Sequence, residues 1–314
     1  GGGAIALYHL GVVAELHSHG LLPRVISGTS GGSIVAAMLA CRTDAELPTF
    51  LSPDVVTRAA WLDPFPVMLR RLLREGVALD KEAFLDALRA VCEDYTFAEA
   101  FARTGRLVSL TAATAATHVG TAALINHITH PNVLVRSAVQ ASCALPGVMW
   151  PGGLLSKAAD GSIVPYESAG MRYRDGSFQS DIPSAALAAQ FNATHFIVSQ
   201  VNAHIVPFLD EPARPVSPLY RLQRFLVDDV RARLHKYDRK GGYLPTELAN
   251  LVSQTYTGSP TDVTIFPRPR LSDLTWRILA MPSVDAVRDF ILGGRRMTWP
   301  HVPRITLQTQ LERE

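Results

Sequence analysis

The sequence predicts an α/β fold in which a parallel or mostly parallel sheet is covered by helices on both faces. Three observations predict it. Short β-branched runs such as Arg24-Val25-Ile26-Ser27 and His195-Phe196-Ile197-Val198-Ser199 read as buried strands. Helical patterns separate these runs, and strands that alternate with helices pair in parallel through crossovers. A chain of 314 residues that is 47% hydrophobic and 18% charged has the apolar surface for a sizeable core, which excludes a disordered or fibrous protein.

Residues 4–19 set Ile5, Leu7, Leu10, Val13, Ala14 and Leu16 at helical spacing, and Gly20 stops the pattern. The strand at 24–27 runs into Gly28-Thr29-Ser30-Gly31-Gly32, after which residues 34–40 read as a buried helix. Residues 54–75 and 80–103 look helical, the first interrupted by Pro64 and Pro66. The stretch between Arg106 and Arg136 carries no charged side chain and is long enough to cross a bilayer. Its small, β-branched and polar content argues instead for two buried strands joined by a turn. A helix from about 135 ends before Pro146, and residues 146–181 read as loops around a short strand. Pro183–Phe191 is a helix, and 195–199 a strong strand. Pro207, Pro212, Pro215 and Pro218 mark an exposed excursion, and helical stretches follow at about 217–237, 245–256 and 282–294. The expected organisation is a core over 1–200, lacking its first strand, with a mainly helical extension over 201–314 packed on it.

Net charge is +2, far from the basic excess of a nucleic-acid binder. Cys41, Cys92 and Cys143 are odd in number and widely spaced, which speaks against a disulfide framework or a zinc ribbon and for a reducing compartment. The chain opens on Gly1-Gly2-Gly3 without a Met or a leader, and reads as part of a longer protein. No metal-ligand cluster stands out. A dinucleotide loop is not completed, because position 6 is Ala6.

Gly28-Thr29-Ser30-Gly31-Gly32 fits Gly-x-Ser-x-Gly in a strand–turn–helix setting, as a nucleophile elbow requires. Flanking glycines relieve crowding at a sharp turn that lifts the Ser30 hydroxyl out of the sheet, and the following helix N-terminus aims N–H groups at a developing oxyanion. A phosphate-binding or plain packing turn is the competing reading. Gly1, Gly2 and Gly3 can converge their N–H groups into an anion nest, or be a linker. Arg174-Asp175-Gly176-Ser177 offers an acid in a loop, although Asp-Gly is more often only a turn. A Ser–Asp–His order leaves His195, His204, His235 and His301 as bases. Of these, His204 is best positioned and His195 reads as a satisfied core histidine.

Together these pieces resemble the patatin-like phospholipase family. The resemblance extends over roughly residues 1–300, through GGGAIALYHLG (1–11), LPRVISGTSGGSIVAA (22–37), AVQASCALPG (138–147), YRDGSFQSDIP (173–183), HFIVSQVN (195–202) and Thr298-Trp299-Pro300. It is closest to the intracellular triacylglycerol lipases of plant oil bodies and fungal lipid droplets. The resemblance implies a three-layer α/β/α fold and a Ser–Asp dyad without a catalytic histidine, with Ser30 as nucleophile and Asp175 as base. It also implies an oxyanion hole from the backbone of Gly1, Gly2 and Gly3, Gly28, Thr29, Gly31 and Gly32 as the elbow, and Gly176 and Ser177 in the acid motif. Ile5 and Ala6 stand where the family more commonly has a basic residue and Gly.

The implied activity is fatty-acid release from triacylglycerol, without metal or cofactor. The alternatives are a phospholipase A, a lysophospholipase or a transacylase on glycerolipids, or a catalytically silent lipid-droplet scaffold. The expected location is intracellular, peripheral on a lipid droplet or membrane surface. Leu219–Tyr237, with arginines among apolar residues, suits docking on an anionic monolayer, or simply a surface helix packed on the core. Residues 207–218 could form a lid hinge or an ordinary surface loop.

Overall fold

A computed structural model of the protein describes residues 3–58, 62–114, 123–166, 173–175, 182–202, 262–267 and 282–313. The N-terminal pattern forms a 3₁₀ turn, Gly3–Leu7, that runs into helix α1, Tyr8–Ser18. Gly20, at φ 64°, turns the chain toward strand β1, Val25–Gly28, and helix α2, Gly31–Cys41, follows. Arg106 ends α2 by donating to the carbonyls of Leu39 and Arg42 at 2.8 and 2.7 Å and by pairing with Asp44. A cation on the last carbonyls of a helix also complements its dipole.

Short helices α3, Leu47–Phe50, and α4, Pro53–Arg58, lead to α5, Phe65–Glu75. The single helix expected over 80–103 is two, α6, Lys81–Cys92, and α7, Phe97–Thr104. The break has a local cause. Glu93 sits at φ 53°, and Thr96 with Glu99 forms a reciprocal capping box that starts a new helix. The uncharged stretch gives strands β2, Leu107–Thr114, and β3, Ala123–Ile125, followed by α8, Val135–Ser142. Among the described residues no helix is long and apolar enough to cross a membrane. The described residues of 146–181, a range expected to hold one short strand, form three: β4, Leu155–Lys157; β5, Ile163–Pro165; and β6, Tyr173–Asp175. Then come α9, Ser184–Phe191, and β7, Ile197–Ser199. From the C-terminal part come β8, Val263–Ile265, α10, Val284–Thr298, and α11, Val302–Gln308. The expected helices at 217–237 and 245–256 and the proline-rich stretch lie outside the described residues.

The α/β class holds. Among the described strands β1, β2, β3 and β6 form one four-stranded sheet in which β1–β2 is parallel and β2–β3 and β2–β6 are antiparallel, while antiparallel β4–β5 and parallel β7–β8 form two separate pairs. Ala112 pairs with Ala123 on one edge of β2 and with Asp175 on the other, and Leu110 pairs with Ile125 and Gly28 in the same way. Strands β1 and β6 therefore share one edge of β2. Asp175 lies two residues further along β2 than Gly28, about 7 Å at the rise of a strand.

Val108, Leu110 and Ala112 bury one side of β2 in a cluster with α2, α6 and α8. Ser109, from an alternate position, accepts a hydrogen bond from Asn126, which also donates to Gln190 of α9. A second cluster joins α1, α2 and α10, and a third joins α1, β8 and Ile305 of α11. Helices α1 and α10 touch backbone to backbone. A Cβ on Gly11 would stand 2.1 Å from the Ile291 carbonyl oxygen, and one on Gly294 would stand 2.2 Å from that of Tyr8. One helical turn beyond Gly11, Glu15 accepts from Arg295 at 2.8 Å and pairs with His19 at 3.0 Å. Burial alone would raise the Glu15 carboxyl, but hydrogen bonds from Arg295, Trp299 and His19 outweigh it and hold the group below its ordinary range.

Candidate active site

The elbow begins with a requirement for glycine. A Cβ on Gly28 would meet the Gly32 carbonyl oxygen at 2.5 Å and the Ala36 methyl at 2.7 Å. Strand β1 and helix α2 can thus approach closely only with Gly there. Ser30 follows at φ 53° and ψ −126°, a region that side chains other than glycine rarely adopt. Strain of that size persists only where the surroundings over-determine it.

Three side chains supply that determination. The Ser30 N–H donates to Ser142 Oγ at 2.9 Å, and Ser142 Oγ donates onward to the Thr111 carbonyl at 2.7 Å. The Ser30 carbonyl accepts from Ser33 Oγ at 2.6 Å and from the Cys143 thiol at 3.3 Å. Ser33 and Ser142 are fully buried. Ser142 therefore links the elbow to β2 between Leu110, where β1 pairs last, and Ala112, opposite Asp175. The backbones of Ser30 and Asp175 thus approach the same short stretch of β2 from one edge. Asp175 is described at its backbone alone. Gly1, Gly2, Gly176 and Ser177 lie outside the described residues, and Gly3 opens the 3₁₀ turn that leads into α1.

Ser30 is 7% exposed and Thr29 is buried. Over the first turn of α2, the neighbour that a Cβ on Gly32 would meet is His9 Nε2, at 3.9 Å. Crowding thus demands Gly at position 28 but not at 32. The other ring nitrogen of His9 hydrogen-bonds Ser199 Oγ at the end of β7, at 2.6 Å. Burial is the chief cause that pushes the His9 imidazole down to about 3, so it is neutral at physiological pH.

The sequence reading missed His9, Ser142, Cys143 and Ser33. A Ser–Asp–His order points to a histidine downstream of the acid, whereas His9 lies upstream of the serine. His195, expected to be a core histidine, is exposed and bonds its neighbour's carbonyl, because the strand starts two residues later at Ile197. His301 is partly buried on the turn after α10. His204 and His235 lie outside the described residues. The three cysteines are free and buried.

A neutral buried imidazole makes a pH prediction. The unfolded chain binds a proton at His9 below about 6.5, whereas the folded chain resists until about 3. The stability contributed by burying neutral His9 is thus present above about 6.5 and is lost as pH falls, at roughly 1.4 kcal/mol per pH unit. Denaturant midpoints of the native chain and of His9→Gln should therefore converge on acidification from pH 7 to 4. A gap that stays constant over that range would show that His9 does not titrate in this way.

The residue pattern of the patatin-like phospholipase family matches residues 1–188. The chain is 36% identical to a patatin-like phospholipase domain-containing protein of Yarrowia lipolytica, over 96% of this chain and 38% of that one. It is 36% identical to one of Coccidioides immitis, over 100% and 45%, and 32% identical to triacylglycerol lipase ptl2 of Schizosaccharomyces pombe, over 100% and 52%. The chain thus spans about half the length, or less, of these curated relatives. Among solved structures, VipD of Legionella pneumophila aligns over 93% of this chain and 65% of its own, at 11% identity and a TM-score of 0.41. With a family match over more than half its residues, on the stretch that holds the strained serine and the acid strand, this chain belongs to the patatin-like phospholipases, a family of lipid hydrolases.

Proposed function

We propose that the protein is a serine lipid acyl hydrolase that releases fatty acid from triacylglycerol, with Ser30 as nucleophile and Asp175 as base. The observation that carries this reading is the strained, clamped backbone of Ser30 at the mouth of α2. The shared β2 edge supports the choice of Asp175. His9 does not compete for the role, because an imidazole held near 3 is too weak a base at neutral pH.

In the proposed reaction Asp175 accepts the Ser30 proton as Oγ attacks the ester carbonyl. Backbone N–H groups of the N-terminal glycines and of the first turn of α2 stabilise the tetrahedral oxyanion. Diacylglycerol leaves with a proton, and water then hydrolyses the acyl-serine to free fatty acid. The chemistry through the acyl-enzyme is the same for a phospholipase A, a lysophospholipase or a transacylase. The name of the fission-yeast relative, a triacylglycerol lipase, favours the neutral lipid.

Fatty-acid release from emulsified triolein and from phosphatidylcholine, measured side by side, tests the substrate. The expected result is faster release from triolein, lost by about 10³-fold or more in Asp175→Asn. Preference for phosphatidylcholine would transfer the assignment to the phospholipase reading. Absence of labelling by a fluorophosphonate would point to a silent scaffold on the lipid droplet.

A further inference from the structure

Helix α5 buries only one side chain, Met68, although apolar residues make up a broad side of it. Phe65, Met68, Leu69, Leu72 and Leu73 fall together at 3.6 residues per turn. Leu69, Leu72 and Leu73 are 42%, 38% and 78% exposed. Trp150, 58% exposed, extends this surface. Its ring lies 3.5 Å from where a Cβ on Gly76 would stand, and Leu72 lies 4.0 Å from the same point on Gly147. Backbone bonds from Ala78 to Gly147 at 3.0 Å and from Leu79 to Val148 at 2.9 Å stitch the two segments together.

The charges on this helix are sorted. Arg71 turns inward, pairing with Asp63 at 2.7 Å and donating to the Ala78 carbonyl at 3.0 Å. Arg70 stands next to Leu73 around the helix and Arg74 lies one turn on beside Arg70; both are exposed and unpaired among the described residues. The one acidic side chain on the helix is Glu75. A leucine face with exposed arginines beside it and a tryptophan at its edge is the make-up of a helix that lies in a membrane interface. Arginine stems reach along apolar surface to the headgroup phosphates, and indole favours the boundary itself. A second copy of this face would instead oppose arginine to arginine.

We infer that α5 and Trp150 form a docking face for an anionic phospholipid surface. The choice of lipid as occupant rests on the hydrolase reading above. The same chain segment links the face to the elbow, since Trp150 follows closely after Ser142 and Cys143, which hold Ser30.

The test is flotation of the 314-residue chain with phosphatidylcholine vesicles, with and without about 25% phosphatidylserine. The chain is expected to float with both and more strongly with the anionic ones. Leu69→Ser with Leu73→Ser should weaken binding about 10²-fold, and Arg70→Gln with Arg74→Gln should remove about tenfold, the preference for phosphatidylserine. Acyl-brominated lipid should quench indole emission in the unmutated chain and lose most of that quenching in Trp150→Phe, a readout that does not depend on the leucine variant folding. Flotation of the leucine variant at the unmutated level, or no flotation of the unmutated chain, overturns the inference. So does a concentration-dependent dimer that the leucine variant abolishes without any vesicle binding. Fluorophosphonate labelling in lipid-free solution is read separately. Binding without labelling removes the hydrolase reading alone, and labelling without binding removes the docking face alone.

Discussion

Ser30→Ala is expected to lower fatty-acid release by about 10³- to 10⁶-fold and to abolish fluorophosphonate labelling. The fold should survive, because the bonds that clamp position 30 use its backbone N–H and carbonyl and not its hydroxyl. Ser30→Gly makes the sharper comparison. At φ 53° and ψ −126° a Cβ is strained, and glycine relieves that strain. This variant should be as inactive as Ser30→Ala yet more stable than the native chain by about 1 kcal/mol, a rise of roughly 2 °C in Tm. Calorimetry beside the labelling assay decides it. Residual turnover near the native rate would remove Ser30 as nucleophile, and a lower Tm for Ser30→Gly would remove the strain argument.

The second large effect is on stability. Gly294→Ala would set a methyl carbon 2.2 Å from the Tyr8 carbonyl oxygen and 3.0 Å from Gly11 Cα. Both are backbone atoms, so no rotamer change makes room and the helices must separate. Separation also strains the Glu15–Arg295 pair and opens the cluster that Val287, Phe290 and Ile291 fill. The expected loss is about 3 kcal/mol or more. Gly20→Ala is the control. Its backbone is left-handed, at φ 64°, a strain that helical Gly294 does not have, but nothing lies within 4 Å of its Cβ position, so its cost should be about 1 kcal/mol. Equal denaturation midpoints for the two variants would contradict the close-contact account.

Much of the site is legible in the sequence because the elbow is local. A β-branched strand, a Gly-x-Ser-x-Gly turn and a helix of small residues lie within one continuous stretch, and the structure forms β1, Ser30 and α2 there. The clamp was not legible, because Ser142 lies 112 residues from Ser30 and a serine inside a helix announces nothing about its partner. Thr96-x-x-Glu99 was a readable capping box, yet the hydrophobic period of 80–103 ran through it and hid the break. Strands β4, β5 and β6 are three residues long, too short for alternation to show. The helix expected over about 282–294 continues to Thr298 as α10, with Gly293 and Gly294 inside it. Those glycines make room for Tyr8 and do not end the helix.

The α1–α10 contact also sets an order of events during synthesis. Glu15 and its partner Arg295 are 280 positions apart, so a ribosome must emit all the residues between them before α1 finds its glycine-to-glycine seat. Until then the apolar flank of that helix, with Tyr8, Leu10 and Val13, is left without the residues of α10 that cover it. Closing so wide a loop is slow, and nascent chains stalled before α10 should be the form of this protein most in need of a chaperone.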